Sequence, residues 1–379
     1  MKKILSLILV MLFSVNLTAF GEGTLEIAAP SAILIEAGSG KVLYEKDADT
    51  KRPPASVTKV MTMLLVMEAI DSEQISMDDM VRCSEHAASM GGSQVYLEPN
   101  EEMSVHDMLK AVAVASGNDA AVALSEFVAG SSEGFVELMN KRAKELGMEN
   151  TTFINCNGLD AEGHLTTARD ISIMSRELLK HPKILEFTSM WMDSLRGGEF
   201  GLVNTNKLIR FYDGANGLKT GSTGNAKYCL SASAKRDDMQ LIAVVMGADT
   251  SKERFASATK LLDYGFANYT IAKSLVKEDE LSTISVNKGK TPVLESCVDP
   301  EFNLLVEKSR VSEIEKRITV PEIISAPVKD GEKIGEVEFL LDGNVLAKAD
   351  ILSKNNIERI NLIDALSRIV TAFFTGKTN

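Results

Sequence analysis

A chain of 379 residues with 45% hydrophobic and 25% charged side chains has the composition of a folded protein, and at roughly 150 residues per domain it is long enough for about two domains. Its 41 Lys and Arg against 53 Asp and Glu give a net charge of −12, the opposite of the basic surface that nucleic-acid binding requires. Four cysteines are too few for a disulfide scaffold. Cys83, Cys156, Cys229 and Cys297 form no Cys-x-x-Cys pair and read as small apolar thiols. The four histidines show no helical pairing and no nearby cysteine, so no metal site is expected.

Residues 1–21 read as a signal peptide. Lys2 and Lys3 precede a nearly unbroken apolar run, 4–17, that is too short to span a bilayer. Ala19-Phe20-Gly21 then sets small residues at alternate positions, as a cleavage site requires. Cleavage there removes two lysines and no acid, taking the charge from −12 to −14, and the mature protein is expected to be exported.

Two strands, 31–36 and 41–46, flank Ala37-Gly38-Ser39-Gly40 and predict a β-hairpin. Pro53-Pro54 ends that region, and a helix is expected from Ser56 to about Ile70. Val57, Val60, Met61, Met63, Leu64, Leu65 and Val66 make it apolar nearly all round, which places it at the centre of a domain. From about 78 to 190 the signals are mostly helical, over 105–115, 119–128, 135–146 and 168–179. Strands return at 228–234 and 239–247, joined by Lys235-Arg236-Asp237-Asp238, and a helix follows over 253–264. Strands at both ends enclosing helices predict an α+β domain, 22–274, with an antiparallel sheet assembled from distant segments. From 275 to 354, short β-rich pieces are broken by Asn287-Lys288-Gly289, Pro300, Pro321, Pro327, Asp330-Gly331 and Asp342-Gly343, which predicts a small separate β domain.

Residues 355–379 predict an amphipathic helix. Leu362, Ile363, Leu366, Ile369, Val370, Phe373 and Phe374 fall on one half, and Asn361, Asp364, Ser367, Arg368 and Thr371 on the other. Asp364 and Arg368 forbid a bilayer span, so a membrane-surface helix is expected.

Three short motifs carry chemistry. Ser56-Val57-Thr58-Lys59 puts a hydroxyl and an amine on one helix face. A serine needs a base to become a nucleophile, and a lysine serves if burial or a second cation lowers its pKa. Ser116-Gly117-Asn118 lies between two helical runs, where Gly117 permits a tight turn, the serine can relay a proton and the asparagine can hold a carbonyl. Lys219-Thr220-Gly221 precedes the late strands; its lysine and threonine suit a carboxylate, and its glycine a close backbone approach. Ser-x-x-Lys arises by chance about once or twice in such a length, but Lys-Thr-Gly only about 0.1 times. The order and context of all three are the signal, and the trio is the one found in penicillin-binding proteins and class A β-lactamases.

With these motifs the chain resembles the low-molecular-mass penicillin-binding proteins, serine-type D-Ala-D-Ala carboxypeptidases, over about 29–266. The stretches LGMENTTFINCNGLDAEGHLTTARD, NTNKLIRFYDGANGLKTGST and KERFASATKLLDYGF share the likeness, and the later β segment and terminal helix are similar to that family's appendages. The resemblance implies a penicillin-binding/β-lactamase-like catalytic domain with a helical subdomain. It implies Ser56 as nucleophile, Lys59 as general base, and Ser116 and Asn118 in proton transfer and substrate positioning. Lys219 and Thr220 would bind the substrate carboxylate, beside Gly221, with backbone N–H groups of Ser56 and Ser222 as oxyanion hole and Arg254 aiding carboxylate recognition. His164 and Asn157 read as structural. The implied substrates are peptidoglycan stem peptides, the implied inhibitors β-lactams, and no cofactor is needed.

A class A β-lactamase would carry a deacylating Glu-x-x-x-Asn between the second and third motifs. Glu162 has Thr166 at that spacing and Glu186 has Met190, which argues against it, as does the extra β domain. A D,D-endopeptidase would share the trio, and a non-catalytic wall-binding or β-lactam-sensing protein could share the scaffold.

Overall fold

Ile33 and Ile35 of the strand Ser31–Glu36 enter one hydrophobic core, and Ala32 and Leu34 enter a second. Met239–Ala248 divides in the same way, with Ile242, Val244 and Met246 on one side and Leu241, Ala243 and Val245 on the other. Each strand keeps its period of two but serves two cores, so its sequence is an unbroken apolar run. The structure, a computed structural model, describes residues 25–375 apart from Ser274 and Ser282. The expected signal peptide, 1–21, lies outside the described residues, as do the side chains of Arg368, Ile369, Thr371 and Phe374.

The central sheet is antiparallel, in the order Val42–Lys46, Ser31–Glu36, Met239–Ala248, Lys227–Arg236, Ala215–Thr223. The expected assembly from distant segments is present. The fifth strand departs from expectation, because Lys219-Thr220-Gly221 lies inside it rather than ahead of the strands. Its asparagine, glycines and lysine have poor β propensity, and pairing along Lys227–Arg236 overrides it.

Helix Ser251–Asn268 covers one face of the sheet and Ala168–Leu178 the other. Beyond the latter lies Lys59–Asp71, buried at every position from Lys59 to Met67 and packed against Asn118–Ala129 and Ala168–Leu178. Each leucine or methionine so enclosed contributes about 1.5–3 kcal/mol. The expected helix over 105–115 divides into an α-helix, Val105–Lys110, and a π-helical turn, Ala111–Ala115. One ribbon, Met80–Arg82 with Glu102–Ser104, interrupts the region expected to be mostly helical, and a second, Met192–Leu195 with Phe200–Val203, follows it.

The boundary expected at 274/275 is crossed by a sheet, since Tyr269–Ala272 pairs with Leu304–Glu307. The β domain itself holds a four-stranded antiparallel sheet, Ser296–Val298, Asn344–Ser353, Lys333–Leu341, Glu315–Thr319, over a core that includes Ile284, Val337, Phe339 and Ile351. Its expected end at 354 is too early. Ile357 belongs to that core and exchanges backbone hydrogen bonds with Val328 at 2.8 and 3.0 Å. The terminal helix accordingly runs Leu362–Thr375 rather than from 355, and Leu362, Ile363, Leu366 and Val370 of its apolar half are exposed. Among the described residues no helix is long and apolar enough to cross a membrane. Cys83, Cys156 and Cys229 are buried free thiols, and Cys297 is a half-buried one.

Candidate active site

Ser56 sits in a short 3-10 turn, Ala55–Thr58, that feeds directly into the buried helix Lys59–Asp71. Two glycines clamp that turn. A Cβ on Gly221 would come within 2.9 Å of Pro54 O and of the Ser56 and Val57 nitrogens. One on Gly158, whose φ is +87°, would stand 2.0 Å from Ala55 O and 2.8 Å from Ser56 N. The space beside Gly221 that a Cβ would fill is taken by the protein's own nucleophile turn.

The Lys59 side chain is wholly buried, and its amine donates to Ser56 Oγ at 3.1 Å, Asn118 Oδ1 at 2.5 Å and the Asn157 carbonyl at 2.6 Å. Burial lowers its pKa to about 7, opposed by the charges of Cys156 and Asp119. Lys219 is equally buried, and its pKa lies well below the usual value through desolvation first, then repulsion from Lys59 and Arg254. The expected effect of the second cation thus falls on Lys219, while Lys59 is tuned by burial.

Ser116 ends the π-helical turn in the left-handed region, at φ 65° and ψ 28°, and is buried. The turn expected of Gly117 is made by Ser116 instead, since Gly117 has a negative φ of −52°. What Gly117 supplies is room, because a Cβ there would press on Asp119 Oδ1 at 3.0 Å. Asn118 opens the helix Asn118–Ala129, and its amide nitrogen donates to Gly91 O at 2.7 Å. Asp119, which sequence reasoning missed, accepts from Val95 N and Leu97 N and so ties the loop 91–97 beside Asn118. An acid placed directly after Ser-x-Asn at a helix start was the available signal.

Lys219 donates to its neighbour's carbonyl, Thr220 O, at 2.9 Å, and the Thr220 hydroxyl donates to Thr205 Oγ1 at 2.7 Å. Thr205, also missed, is held in a loop by Asn204 and Asn206, whose amides bond to Met190 O and Gly217 O. Ser222 is the exposed residue next along the strand. Thr223 closes that end by donating to Asp160 at 2.7 Å. Arg254 lies behind the strand: its guanidinium donates to Gly221 O at 3.2 Å and Cys229 O at 3.4 Å, and packs against the Phe255 and Tyr228 rings. Burial lowers its pKa to about 10. Asn157 contributes its backbone carbonyl to Lys59, while its side chain bonds to Leu159 N and Met90. The structure therefore gathers Ser56, Lys59, Asn118, Lys219 and Gly221 around one turn, and sets Arg254 one peptide unit behind them. Among the described residues no group of three His, Cys, Asp or Glu is arranged to hold a metal ion.

The D-alanyl-D-alanine carboxypeptidase family matches residues 18–250, and the C-terminal domain of penicillin-binding protein 5 matches 269–359. The D-alanyl-D-alanine carboxypeptidase DacF of Bacillus subtilis is 47% identical over 97% of this chain and 98% of its own. Penicillin-binding protein 5 of Haemophilus influenzae is similar in structure, with a TM-score of 0.71 and 33% identity over 88% of this chain and 98% of its own. Penicillin-binding protein D2 of Listeria monocytogenes, solved in an ampicillin-bound form, has a TM-score of 0.58 and 35% identity over 63% of this chain and 98% of its own. The chain thus belongs to the D-alanyl-D-alanine carboxypeptidase family of penicillin-binding proteins.

Proposed function

We propose that this serine-type D-alanyl-D-alanine carboxypeptidase works through an acyl-enzyme on Ser56 with Lys59 as its general base. The observation that carries the reading is the contact of the buried Lys59 amine with Ser56 Oγ at 3.1 Å, at a pKa of about 7. Neutral Lys59 takes the Ser56 proton as Oγ attacks the carbonyl of the penultimate D-Ala of a peptidoglycan stem peptide. The bond to the last D-Ala breaks, and its amine leaves with a proton delivered through Lys59 and Ser116. Water then adds to the ester and releases the shortened peptide and Ser56. Asn118 positions both Lys59 and the substrate. The backbone N–H groups of Ser56 and Ser222 receive the oxyanion, and Gly221 keeps them close together.

The departing residue carries a carboxylate, and Lys219 and Thr220 supply the hydrogen-bonding wall that it meets, with the Arg254 cation behind the strand. That local charge outweighs the net −12 of the chain at short range. β-Lactams acylate Ser56 by the same chemistry, a reading supported by the ampicillin-bound form of the Listeria relative. The catalytic domain acts outside the cytoplasm after removal of 1–21. The terminal helix lies on the outer face of the cytoplasmic membrane, a reading supported by its exposed apolar residues.

Incubating the protein with a stem pentapeptide and measuring free D-Ala tests this. Wild type releases D-Ala; Ser56→Ala, folded, neither releases it nor becomes labelled by a fluorescent penicillin. Labelling of the folded Ser56→Ala protein would overturn the assignment, and a stable penicillin adduct on wild type without D-Ala release would make the protein a sensor.

A further inference from the structure

His164 is a buried titratable group that the reaction above does not use, and its hydrogen bonds run in one direction. The Ile154 N–H donates to Nδ1 at 2.9 Å, so Nδ1 is bare and the ring proton sits on Nε2. Nε2 lies 2.8 Å from Thr58 Oγ1, and the Thr58 hydroxyl in turn donates to the Ala55 carbonyl at 2.9 Å. Every donor and acceptor in this chain is therefore assigned. Burial holds His164 near a pKa of about 4 against the opposing charge of Asp160, so the imidazole is neutral where the enzyme works.

The end of the chain is what matters. The Ala55 carbonyl and the Ser56 N–H belong to one planar peptide unit and point in opposite directions. Fixing the carbonyl fixes the amide. Ala55 also occupies the left-handed region, at φ 49°, which a residue with a Cβ adopts only under constraint. The constraint comes from Thr58 on one side and from Gly158, packed on the same peptide, on the other.

We infer that His164 is a positioning residue: through Thr58 it holds the Ala55–Ser56 peptide so that the Ser56 N–H points at the developing oxyanion. The inference rests on the acyl-enzyme reading above and deepens it. His164 touches no substrate and transfers no proton. Its contribution is made in the transition state, so its loss lowers kcat and leaves KM nearly unchanged.

The test compares full-length wild type, Thr58→Val, His164→Phe, His164→Gln and the Thr58→Val/His164→Phe double variant, each checked for folding by thermal unfolding. D-Ala release gives kcat and KM, and fluorescent penicillin gives the acylation rate. Removal of one oxyanion donor costs about 10²–10³ in kcat, and a misaimed one should cost on the order of 10-fold or more. Thr58→Val and His164→Phe should each lose that much in kcat with KM within about 3-fold, and the double variant should lose no more than the worse single one, as expected of groups acting in series. His164→Gln keeps an N–H for Thr58 and should recover most of the rate. Wild-type kcat in a folded Thr58→Val protein, or losses that multiply in the double variant, would overturn the inference and leave the acyl-enzyme reading intact. Labelling of Ser56→Ala would remove both. If His164→Phe does not fold, Thr58→Val alone decides.

Discussion

Lys59 Nζ stands 2.5 Å from Asn118 Oδ1 and 3.1 Å from Ser56 Oγ, so the second motif holds the base of the first in place. The residues are far apart in the chain, and what joins them is the burial of one helix against another. Asn118 starts its helix beside the first turn of Lys59–Asp71, where the lysine enters an apolar interior. Three acceptors around one amine replace its hydration, yet none of them is a carboxylate. These acceptors hold the amine in place, and its desolvation outweighs what they and the charge of Asp119 do for the ammonium, so its pKa falls to about 7, where a base at neutral pH needs it.

The pH dependence of acylation follows. Lys59 titrates near 7, far below an ordinary lysine, because burial disfavours the ammonium. Below pH 7 the base is protonated, and kcat/KM should fall about tenfold per pH unit; above it the rate should level off. Lys59→Arg keeps a cation that cannot lose its proton near neutrality, so acylation should fall by about 10²–10⁴-fold. A stopped-flow pH profile with a fluorescent penicillin checks both. A flat profile from pH 5 to 9 would place the base elsewhere.

Much of this was readable in the chain. The trio was legible because each motif has fixed residue types at short spacing, and the buried helix because it has no polar face. Two details were not legible: what lies against Gly221, and that Ser116 rather than Gly117 takes the left-handed φ. A glycine's neighbour in space and the sign of a serine's φ are set by tertiary packing, which local sequence does not encode. The strand Ala215–Thr223 was hidden because its residues favour turns and only its ladder to Lys227–Arg236 makes it a strand. Ile357 was hidden for the same reason: one apolar residue among polar ones carries no periodicity, yet it completes the β-domain core.

The clamp on the nucleophile turn predicts unequal costs for two alanine substitutions. In Gly221→Ala the new Cβ meets three backbone atoms at 2.9 Å, so the nucleophile turn itself must shift, though by less than in Gly158→Ala and without a positive φ. The protein should fold, with acylation reduced by about 10-fold or more as Ser56 moves. In Gly158→Ala the Cβ would sit 2.0 Å from Ala55 O at a φ of +87°, so strain and overlap combine. A loss of about 2–4 kcal/mol is expected, read as a lower melting temperature together with lost labelling. Equal, mild effects from both would mean that the turn is not clamped.

Arg254 is buried and bonded to the Gly221 and Cys229 carbonyls, yet its charge lowers the pKa of Lys219 and so reaches the same wall of the site. A cation about 8–16 Å from a carboxylate is worth about 1–2 kcal/mol at an effective dielectric near 20. Arg254→Ala should therefore slow acylation by substrates with a free terminal carboxylate about 10-fold and leave their esterified counterparts nearly unaffected. Arg254→Lys should fall in between, keeping the charge but not the planar fork. Equal losses for both kinds of substrate would reduce Arg254 to a strut for the strand.

The terminal helix makes the last prediction. Leu362, Ile363, Leu366 and Val370 are exposed on one side of Leu362–Thr375, an arrangement that is costly in water unless something covers it. The helix is too short and too polar to span a bilayer, since Asp364 and Arg368 stand within it. At the interface its seven apolar residues would contribute at most roughly 10 kcal/mol at about 1.5 each, less what partial insertion and immobilisation remove, so binding should be measurable and reversible. One acid and one base on the polar side make it nearly independent of salt. The cut that separates anchor from fold falls after Ile360, because Ile357 belongs to the β-domain core. A chain of 22–360 should keep its melting temperature and peptidase activity and lose co-sedimentation with lipid vesicles, while 22–354 should lose β-domain stability by about 2–4 kcal/mol as Ile357 leaves a cavity. Co-sedimentation of 22–360 equal to that of 22–379 would place membrane contact elsewhere, and unfolding of 22–360 would make the helix part of the core.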